Sequence, residues 1–354
     1  MKRVWLDILT PKQFWFFRSV AGFLHDKGVE LLATSRNYEQ VLPLLDNFGY
    51  CGVMVVGEFG GAGLRGKLLK SVERTAELLK VVGDFDCAVS SGSPEAARIA
   101  YGINVPHILA SDTPHSPVNK LTAPLSSNVL TPWVISKREW AANGVAPSKI
   151  IHYRGLDPAA WLKNFKPETD VPRRMGLEPG GYVLVRSPEY KASYLRISGW
   201  GLDDFYRFVV RLSERLKRYR VVVLARYSDE AMLFADVKDG NLTVIDKPVT
   251  DLSILYYSAM FVGGGGTMTQ EAALMGVPTV SIYPGRLPTA VRYLVGKKLV
   301  KHLKTRENLV DRVVVLADRC EKVRELHASK AARLLNAMEN PAKRVAETVL
   351  KTIS

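Results

Sequence analysis

The segment Phe261–Glu271 reads FVGGGGTMTQE and leads into EAALMG. A short apolar run, four glycines and a helix-forming stretch make a strand, a turn and a helix N-terminus. The first-turn N–H groups of a helix lack intrahelical acceptors, and the helix dipole favours negative charge there. Glycine removes the Cβ atoms that would hold an anion away. The chemistry that fits Gly264, Gly265, Gly266 and Thr267 is therefore the holding of a diphosphate. Glu271 follows about one turn later. Aimed at phosphates its carboxylate would repel them, but it can accept hydrogen bonds from nearby ribose hydroxyls. Phosphate on the backbone and ribose on the carboxylate is a nucleotide-sized arrangement. The alternative is that Glu271 only complements the helix dipole.

Two better-known glycine motifs are excluded. After Gly263 and Gly265, the third glycine of a dinucleotide fingerprint would fall at Met268, which disfavours nicotinamide or flavin binding. Earlier, GAGLRGKL places Gly61, Gly66 and Lys67 at the spacing of an ATPase phosphate loop. Leu68 stands where that motif needs a Ser or Thr for magnesium. What remains is a loop whose backbone, with Gly61, Gly63, Arg65 and Lys67, could hold a phosphate or acceptor, or a flexible surface loop.

Other strand ends are polar. Ser91-Gly92-Ser93 precedes Pro94, so Ser93 reads as an N-cap with proline at the first helical position. The same turn is a candidate for acceptor contact. In Ser111-Asp112-Thr113-Pro114-His115, Asp112 at a strand end could be the general base for an acceptor hydroxyl, with His115 sharing that work. An Asx-turn and an ordinary loop histidine are the competing readings. Arg186, ending another strand, could neutralise a leaving diphosphate without a metal; a surface ion pair is its competitor. Glu189 and Tyr190 beside it are further candidates.

The elements that must position these residues alternate along the chain. Strands are expected at Val4–Leu9, Val29–Thr34, Cys51–Gly57, Asp86–Ser91, Pro106–Ser111, Val129–Thr131 and Ile150–His152. Helices are expected at Lys12–Lys27, Tyr38–Phe48, Lys67–Val82 and from Ser93. After a Pro-, Gly- and charge-rich stretch the alternation resumes. Strands then fall at Tyr182–Arg186, Val221–Ala225, Leu242–Ile245, Met260–Gly263 and Thr279–Tyr283, and helices at Asp203–Arg218, Asp229–Ala235, Asp251–Ser258 and Thr267–Met275. Beyond Asn308 the chain reads as helical, with a break at Pro341. The fold class is α/β, two doubly wound parallel-sheet domains facing across a cleft. Ligands of such sheets bind beyond the carboxyl ends of the strands. In Phe14-Trp15-Phe16-Phe17, Phe14 and Phe17 lie on the core stripe of the first helix. Trp15 and Phe16 leave it, and are expected to be covered by a neighbouring loop in preference to resting on lipid.

Composition sets outer bounds. The 354 residues are 47% hydrophobic and 24% charged, with a net charge of +14, ordinary for two globular domains. Lys and Arg are spread over many helices, and no RNA-binding or zinc-finger signature appears, so nucleic acid is not an expected partner. Cys51, Cys87 and Cys320 have no metal spacing, which fits a reducing cytoplasm. No metal site is expected. The opening MKRVWLDIL enters a strand directly, so no signal peptide is expected, and no apolar run is long enough to span a membrane.

The segment Tyr256–Pro284 resembles the donor-binding motif of B-type glycosyltransferases. It is similar to the lipid-linked N-acetylglucosaminyl transferase of peptidoglycan synthesis and to the non-hydrolysing UDP-N-acetylglucosamine 2-epimerase. The stretch Gly63–Lys67 resembles a loop of that transferase, and the whole chain looks most like an uncharacterised prokaryotic family near these enzymes. The resemblance implies a diphosphate held at Gly264, Gly265, Gly266 and Thr267, ribose on Glu271, and an acidic cleft residue near Asp112. It implies an acceptor domain over 1–155, a linker over 156–181, a nucleotide-sugar domain over 182–335, and a helix over 336–354 returning to the first domain. The activity implied is transfer from a UDP-sugar, the nucleotide-sugar being substrate with no further cofactor. Epimerisation, or binding of the nucleotide-sugar without catalysis, is the alternative. A lipid-linked or phosphorylated acceptor, and contact with the inner membrane face, fit the relatives. Two departures stand out. The transferase's glycine-and-histidine loop is replaced by Thr10-Pro11-Lys12-Gln13. The epimerase's His-Arg-Arg-Glu-Asn segment is replaced by Arg186-Ser187-Pro188-Glu189-Tyr190.

Overall fold

A computed structural model describes residues 1–61, 63–188, 201–237, 239–305 and 307–354. Glu189 and Tyr190 lie outside the described residues. The chain divides into two compact units, one of 1–163 with 338–354 and one of 164–337.

Unit 1 holds strands β1 (Arg3–Ile8), β2 (Glu30–Asn37), β3 (Val53–Glu58), β4 (Cys87–Ser90), β5 (His107–Ala110), β6 (Asn128–Pro132) and β7 (Ile150–Tyr153). Between and after them run α1 (Pro11–His25), α2 (Leu42–Leu45), α3 (Leu64–Val81), α4 (Pro94–Gly102), α5 (Asn119–Leu125), α6 (Lys137–Ala141) and α7 (Ala159–Leu162). Unit 2 holds β8 (Tyr182–Arg186), β9 (Arg220–Leu224), β10 (Leu242–Ile245), β11 (Met260–Gly263), β12 (Thr279–Ser281) and β13 (Val300–His302). Its helices are α8 (Asp170–Arg174), α9 (Leu202–Arg215), α10 (Ser228–Met232), α11 (Ser253–Tyr256), α12 (Thr267–Leu274), α13 (Thr289–Gly296), α14 (Leu309–Ala317) and α15 (Cys320–Ala337). The last helix, α16 (Pro341–Ile353), belongs to unit 1 and packs on α1.

Both sheets are parallel, in the orders β3-β2-β1-β4-β5-β6-β7 and β10-β9-β8-β11-β12-β13. The central strands are apolar on both faces, as sheets covered by helices on each side require; β4, β5 and β11 are buried throughout. Local chemistry places the helix starts. Thr10 caps α1 with Pro11 behind it, Ser93 caps α4, and the Asn340 side chain accepts from the N–H groups of Ala342 and Lys343 to start α16. Phe16 is buried and Trp15 half-buried on α1, which packs against α7 and α16.

The structure differs from the sequence expectation in places. Of 38–48 only Leu42–Leu45 is helical, with Pro43 in its first turn, where the missing N–H costs no intrahelical bond. Strand β13 and helix α13 were not anticipated; at three residues, β13 is too short to show a period. The stretch expected as linker carries α7 and α8, and the division between the units falls inside it, after Lys163.

Candidate functional site

In each sheet the first strand of the unit has neighbours on both sides, and the chain leaves it in opposite directions. Such a switch point opens a crevice at the carboxyl ends of the two central strands. It lies between β1 and β4 in unit 1, and between β8 and β11 in unit 2.

In unit 2 the crevice is bordered by Arg186–Pro188 on one side and Gly263–Thr267 on the other. Arg186 is directly opposite Gly263, and the Gly264 N–H donates to the Arg186 carbonyl at 3.0 Å. The glycines have different reasons to be glycine. A Cβ on Gly264 would stand 2.4 Å from the Pro188 ring, and one on Gly265 would stand 2.9 Å from an Arg226 guanidinium nitrogen. One on Gly266 would meet only Pro288, at 3.8 Å. Gly266 is the N-cap of α12 and Thr267 its first residue. Packing thus explains Gly264 and Gly265, while a side chain on Gly266 would find only ordinary contact with Pro288 at the start of α12. Glu271 is buried one turn into α12.

Arg226 was missed in the sequence. It follows β9, donates from Nε to the Ser187 carbonyl at 3.0 Å, and gives its backbone N–H to Glu230 Oε2 at 2.9 Å. Glu230 is fully buried; burial raises its pKa, and the Arg226 N–H and the charges of Arg226 and Arg186 offset part of that. The arrangement fixes Arg226 beside the glycine turn. With Arg186 it supplies two cations and a helix N-terminus at one set of strand ends, a combination suited to a diphosphate. The only sequence signal was an arginine directly after an apolar strand, in VVVLARYSD.

In unit 1 the corresponding crevice is crossed by the chain's own side chains. The Leu9 N–H donates to Gln13 Oε1 at 2.7 Å, and Gln13 Nε2 donates to the Ser91 carbonyl at 3.0 Å. Lys12 Nζ bridges Asp112 Oδ1 at 2.5 Å and Asp157 Oδ2 at 2.7 Å. Burial alone would lower the Lys12 pKa, but the two carboxylates outweigh it and hold the ammonium above its ordinary value. Burial raises the Asp157 carboxyl, with Lys12 offsetting part; Tyr153 donates its hydroxyl to the same group. Thr10-Pro11-Lys12-Gln13, noted in the sequence only as a departure, ties the loops after β1, β4, β5 and β7 together.

The remaining candidates are dispersed. Asp112 is buried in the Lys12 pair, and His115 is exposed three residues on. Ser93 is fully buried, its hydroxyl donating to Glu95 and accepting from the Ala96 N–H. Gly92 has φ +84°, a left-handed conformation that glycine adopts without strain. Gly61 also has positive φ, Gly63 caps α3, Arg65 is exposed and Lys67 half-buried. Two further glycines here have a packing reason: a Cβ on Gly60 would stand 2.5 Å from Lys67 Cα, and one on Gly66 2.8 Å from the Gly60 carbonyl oxygen.

Two buried networks below these strand ends escaped sequence reading. Arg74 from α3 makes a two-point contact with Asp7 of β1 at 2.6 and 3.0 Å, gives Nε to the Val56 carbonyl, and lies 3.4 Å from Glu95. Burial would raise Asp7, yet Arg74 outweighs it and holds the carboxyl below its usual value. Thr34 donates to Asp7 and accepts from the Trp5 indole. The second network centres on His107, whose nitrogens meet Ser90 and Ser126 at 2.9 and 2.8 Å. Ser126 donates to the Thr122 carbonyl, so it accepts from Nδ1–H and leaves Nε2 to accept from Ser90. Burial pushes this neutral imidazole down to about 4.

The family described as "Protein of unknown function (DUF354)" matches residues 2–343. The chain belongs to this family. A relative described as an uncharacterised protein of Methanocaldococcus jannaschii is 26% identical over 318 residues, 88% of this chain and 90% of the relative. Among solved structures, the UDP-GlcNAc 2-epimerase of M. jannaschii with UDP-GlcNAc and UDP is similar at a TM-score of 0.72 and 15% identity, covering 99% of each chain. The UDP-N-acetylglucosamine 2-epimerase of Rickettsia bellii is similar at 0.73 and 15%, covering 100% of this chain and 97% of that one. The spinosyn forosaminyltransferase SpnP is similar at 0.62 and 14%, covering 100% of both. These likenesses show the fold: this DUF354 chain has the two parallel-sheet α/β units of the glycosyltransferase-B type, with seven and six strands. No described helix is long and apolar enough to cross a membrane.

Proposed function

We propose that this protein transfers a sugar from a nucleotide-sugar, a UDP-sugar, to an acceptor hydroxyl without a metal. The observation that carries this reading is the unit 2 switch point, where Arg186 and Arg226 flank a glycine turn opening α12. The diphosphate lies on the N–H groups at Gly265, Gly266 and Thr267 with the two guanidiniums beside it. Glu271 accepts from the ribose hydroxyls. As the acceptor oxygen attacks the anomeric carbon, the bond to the diphosphate breaks and the arginines take up its negative charge, the part a divalent cation would otherwise play. The acceptor proton passes to Asp112 Oδ2, the oxygen not bound to Lys12, with His115 as its outlet. Unit 1 supplies the acceptor surface, with Gly61, Gly63, Arg65, Lys67, Ser91 and Gly92 at its strand ends. The acceptor is lipid-linked or phosphorylated. The reaction belongs to the cytoplasm, which suits three free cysteines.

A second reading is epimerisation of the same UDP-sugar. Epimerases and transferases both share this fold, the former at TM-scores from 0.64 to 0.73 and the latter at 0.62 and 0.63.

The test is a thermal-shift panel of UDP, GDP, ADP, CMP and their sugars. UDP compounds are expected to raise the melting temperature as RT ln(1 + [L]/Kd). No shift at millimolar nucleotide sinks the donor site. Incubation with a UDP-sugar alone then separates the enzymes: an epimer formed without acceptor selects the second reading. Binding with neither product over an acceptor screen selects a non-catalytic binder.

A further inference from the structure

Glu230, on α10, is a fully buried carboxyl at the edge of the unit 2 crevice. One of its oxygens, Oε2, accepts the Arg226 backbone N–H at 2.9 Å. The other, Oε1, has no hydrogen-bond partner among the described residues. The buried Ser187 hydroxyl stands beside this carboxyl and also lacks a hydrogen bond there. An open oxygen on a buried carboxyl is costly, because the water taken from it has been only partly replaced. In a native fold such a group calls for a reason. Its location offers one. The carboxyl is bound to the backbone of Arg226, whose guanidinium borders Gly265. The charges acting most on it are those of Arg226 and Arg186, which favour the ionised form against burial. Asp229, its exposed neighbour on α10, accepts the Glu230 N–H at 3.0 Å.

We infer that Glu230 takes up a proton when a diphosphate-bearing ligand binds to unit 2, so that binding is linked to pH. This rests on the donor site proposed above. Negative charge placed on the turn at Gly265, Gly266 and Thr267 stands about one arginine's length from the carboxyl, across an interior that screens charge weakly. The phosphates also offset the field of Arg226 and Arg186 that holds the carboxylate. Both changes penalise the ionised form, and a proton removes the penalty. Ser187 suits either state, since a hydroxyl can donate to a carboxylate or accept from a carboxylic acid without the backbone moving. The group then binds its proton more tightly in the complex than in the free protein. Affinity is therefore greatest at low pH and is lost as pH rises through the titration of the complex. A difference of one pKa unit between the two states makes that loss tenfold. Glu271, buried on α12, is the other carboxyl that the phosphates approach.

The probe is UDP-N-acetylglucosamine, whose diphosphate is esterified at both ends and lacks the ionisation near about pH 6 of a terminal phosphate. Calorimetry of the full chain in buffers of different ionisation enthalpy counts the protons exchanged. Uptake of part of one proton per site is expected between about pH 5 and 8, with affinity falling about tenfold across that range. Glu230→Gln keeps an acceptor for the Arg226 N–H but cannot titrate. It is expected to bind without proton uptake at every pH, near the affinity of the wild type at low pH. Infrared difference spectra of the wild type, isotope-labelled at its glutamate carboxyls, ask the same without a variant: a protonated glutamic acid is expected to appear on binding. Binding with no proton uptake overturns the inference and leaves the donor site standing. No binding by heat or by melting temperature sinks both. Uptake that survives Glu230→Gln and vanishes in Glu271→Gln assigns the proton to Glu271 and overturns the inference as well.

Discussion

At the switch point of unit 1, Gln13 spans from Leu9 to Ser91 and Lys12 from Asp112 to Asp157, so the chain's own side chains hold the loops. Beneath them Asp7, Arg74 and Glu95 satisfy one another. At the switch point of unit 2, glycines keep side chains out and Arg186 and Arg226 stand at the edge. The same topology thus serves two ends. In unit 1 charge is buried with its counter-charge, which fixes the loops at the strand ends, the one that carries Asp112 among them. In unit 2 positive charge gathers at a gap in the side chains, where it can meet an anion.

The contrast can be broken most severely in unit 1. Arg74→Met leaves Asp7 buried without its partner and is expected to cost about 3–5 kcal/mol of stability in urea unfolding. A loss below about 1 kcal/mol would mean that the network is not holding the sheet. Next is pH. The His107 pKa is near 4 folded against 6.5 unfolded. The unfolded chain therefore binds the extra proton between those values, and stability is complete above pH 6.5 and falls as pH drops toward 4. The fall is on the order of 3 kcal/mol. His107→Gln should flatten that part of the stability–pH curve; an unaltered slope assigns it to other groups.

In unit 2 the expected losses move from stability to binding. Arg226→Ala should weaken UDP binding about tenfold to a hundredfold, the worth of a charge-assisted hydrogen bond, as read by calorimetry. Unchanged affinity would remove Arg226 from the site. The finest distinction is between two neighbouring glycines. Gly264→Ala drives a Cβ into Pro188 and is expected to cost about 1–3 kcal/mol of stability. Gly266→Ala meets Pro288 only at ordinary contact distance and should cost less than about 1 kcal/mol. If Gly266→Ala nevertheless loses UDP affinity, its surface is the one that meets the ligand; if both variants differ only in stability, the run is a packing device.

Much of the fold could be read in the chain because parallel strands covered on both faces are short apolar runs, and those runs alternate with helical periods. Ser93 and Pro94 marked a helix start through their local chemistry, while the cap at Thr10 went unread. The turn at Gly264–Thr267 was legible for the same reason, its meaning lying within one strand, turn and helix. Arg226 was not, because nothing near it in sequence shows that it ends beside Gly265, 39 residues on. Nor was Arg74, which read as one charge among many on α3; its burial depends on Asp7, 67 residues earlier. Lys12 and Gln13 were seen only as a missing loop.

The sequence by itself determined two α/β units, their parallel sheets, the helix caps and a glycine turn that no dinucleotide or ATPase motif explains. These follow from periodicity, capping and backbone conformation, which act over a few residues. Only the tertiary structure decided which charges are neutralised and which are gathered. Whether Arg74 or Arg226 meets a carboxylate or a carbonyl depends on strand order and on how far each is taken from water, and neither quantity exists until distant segments pack.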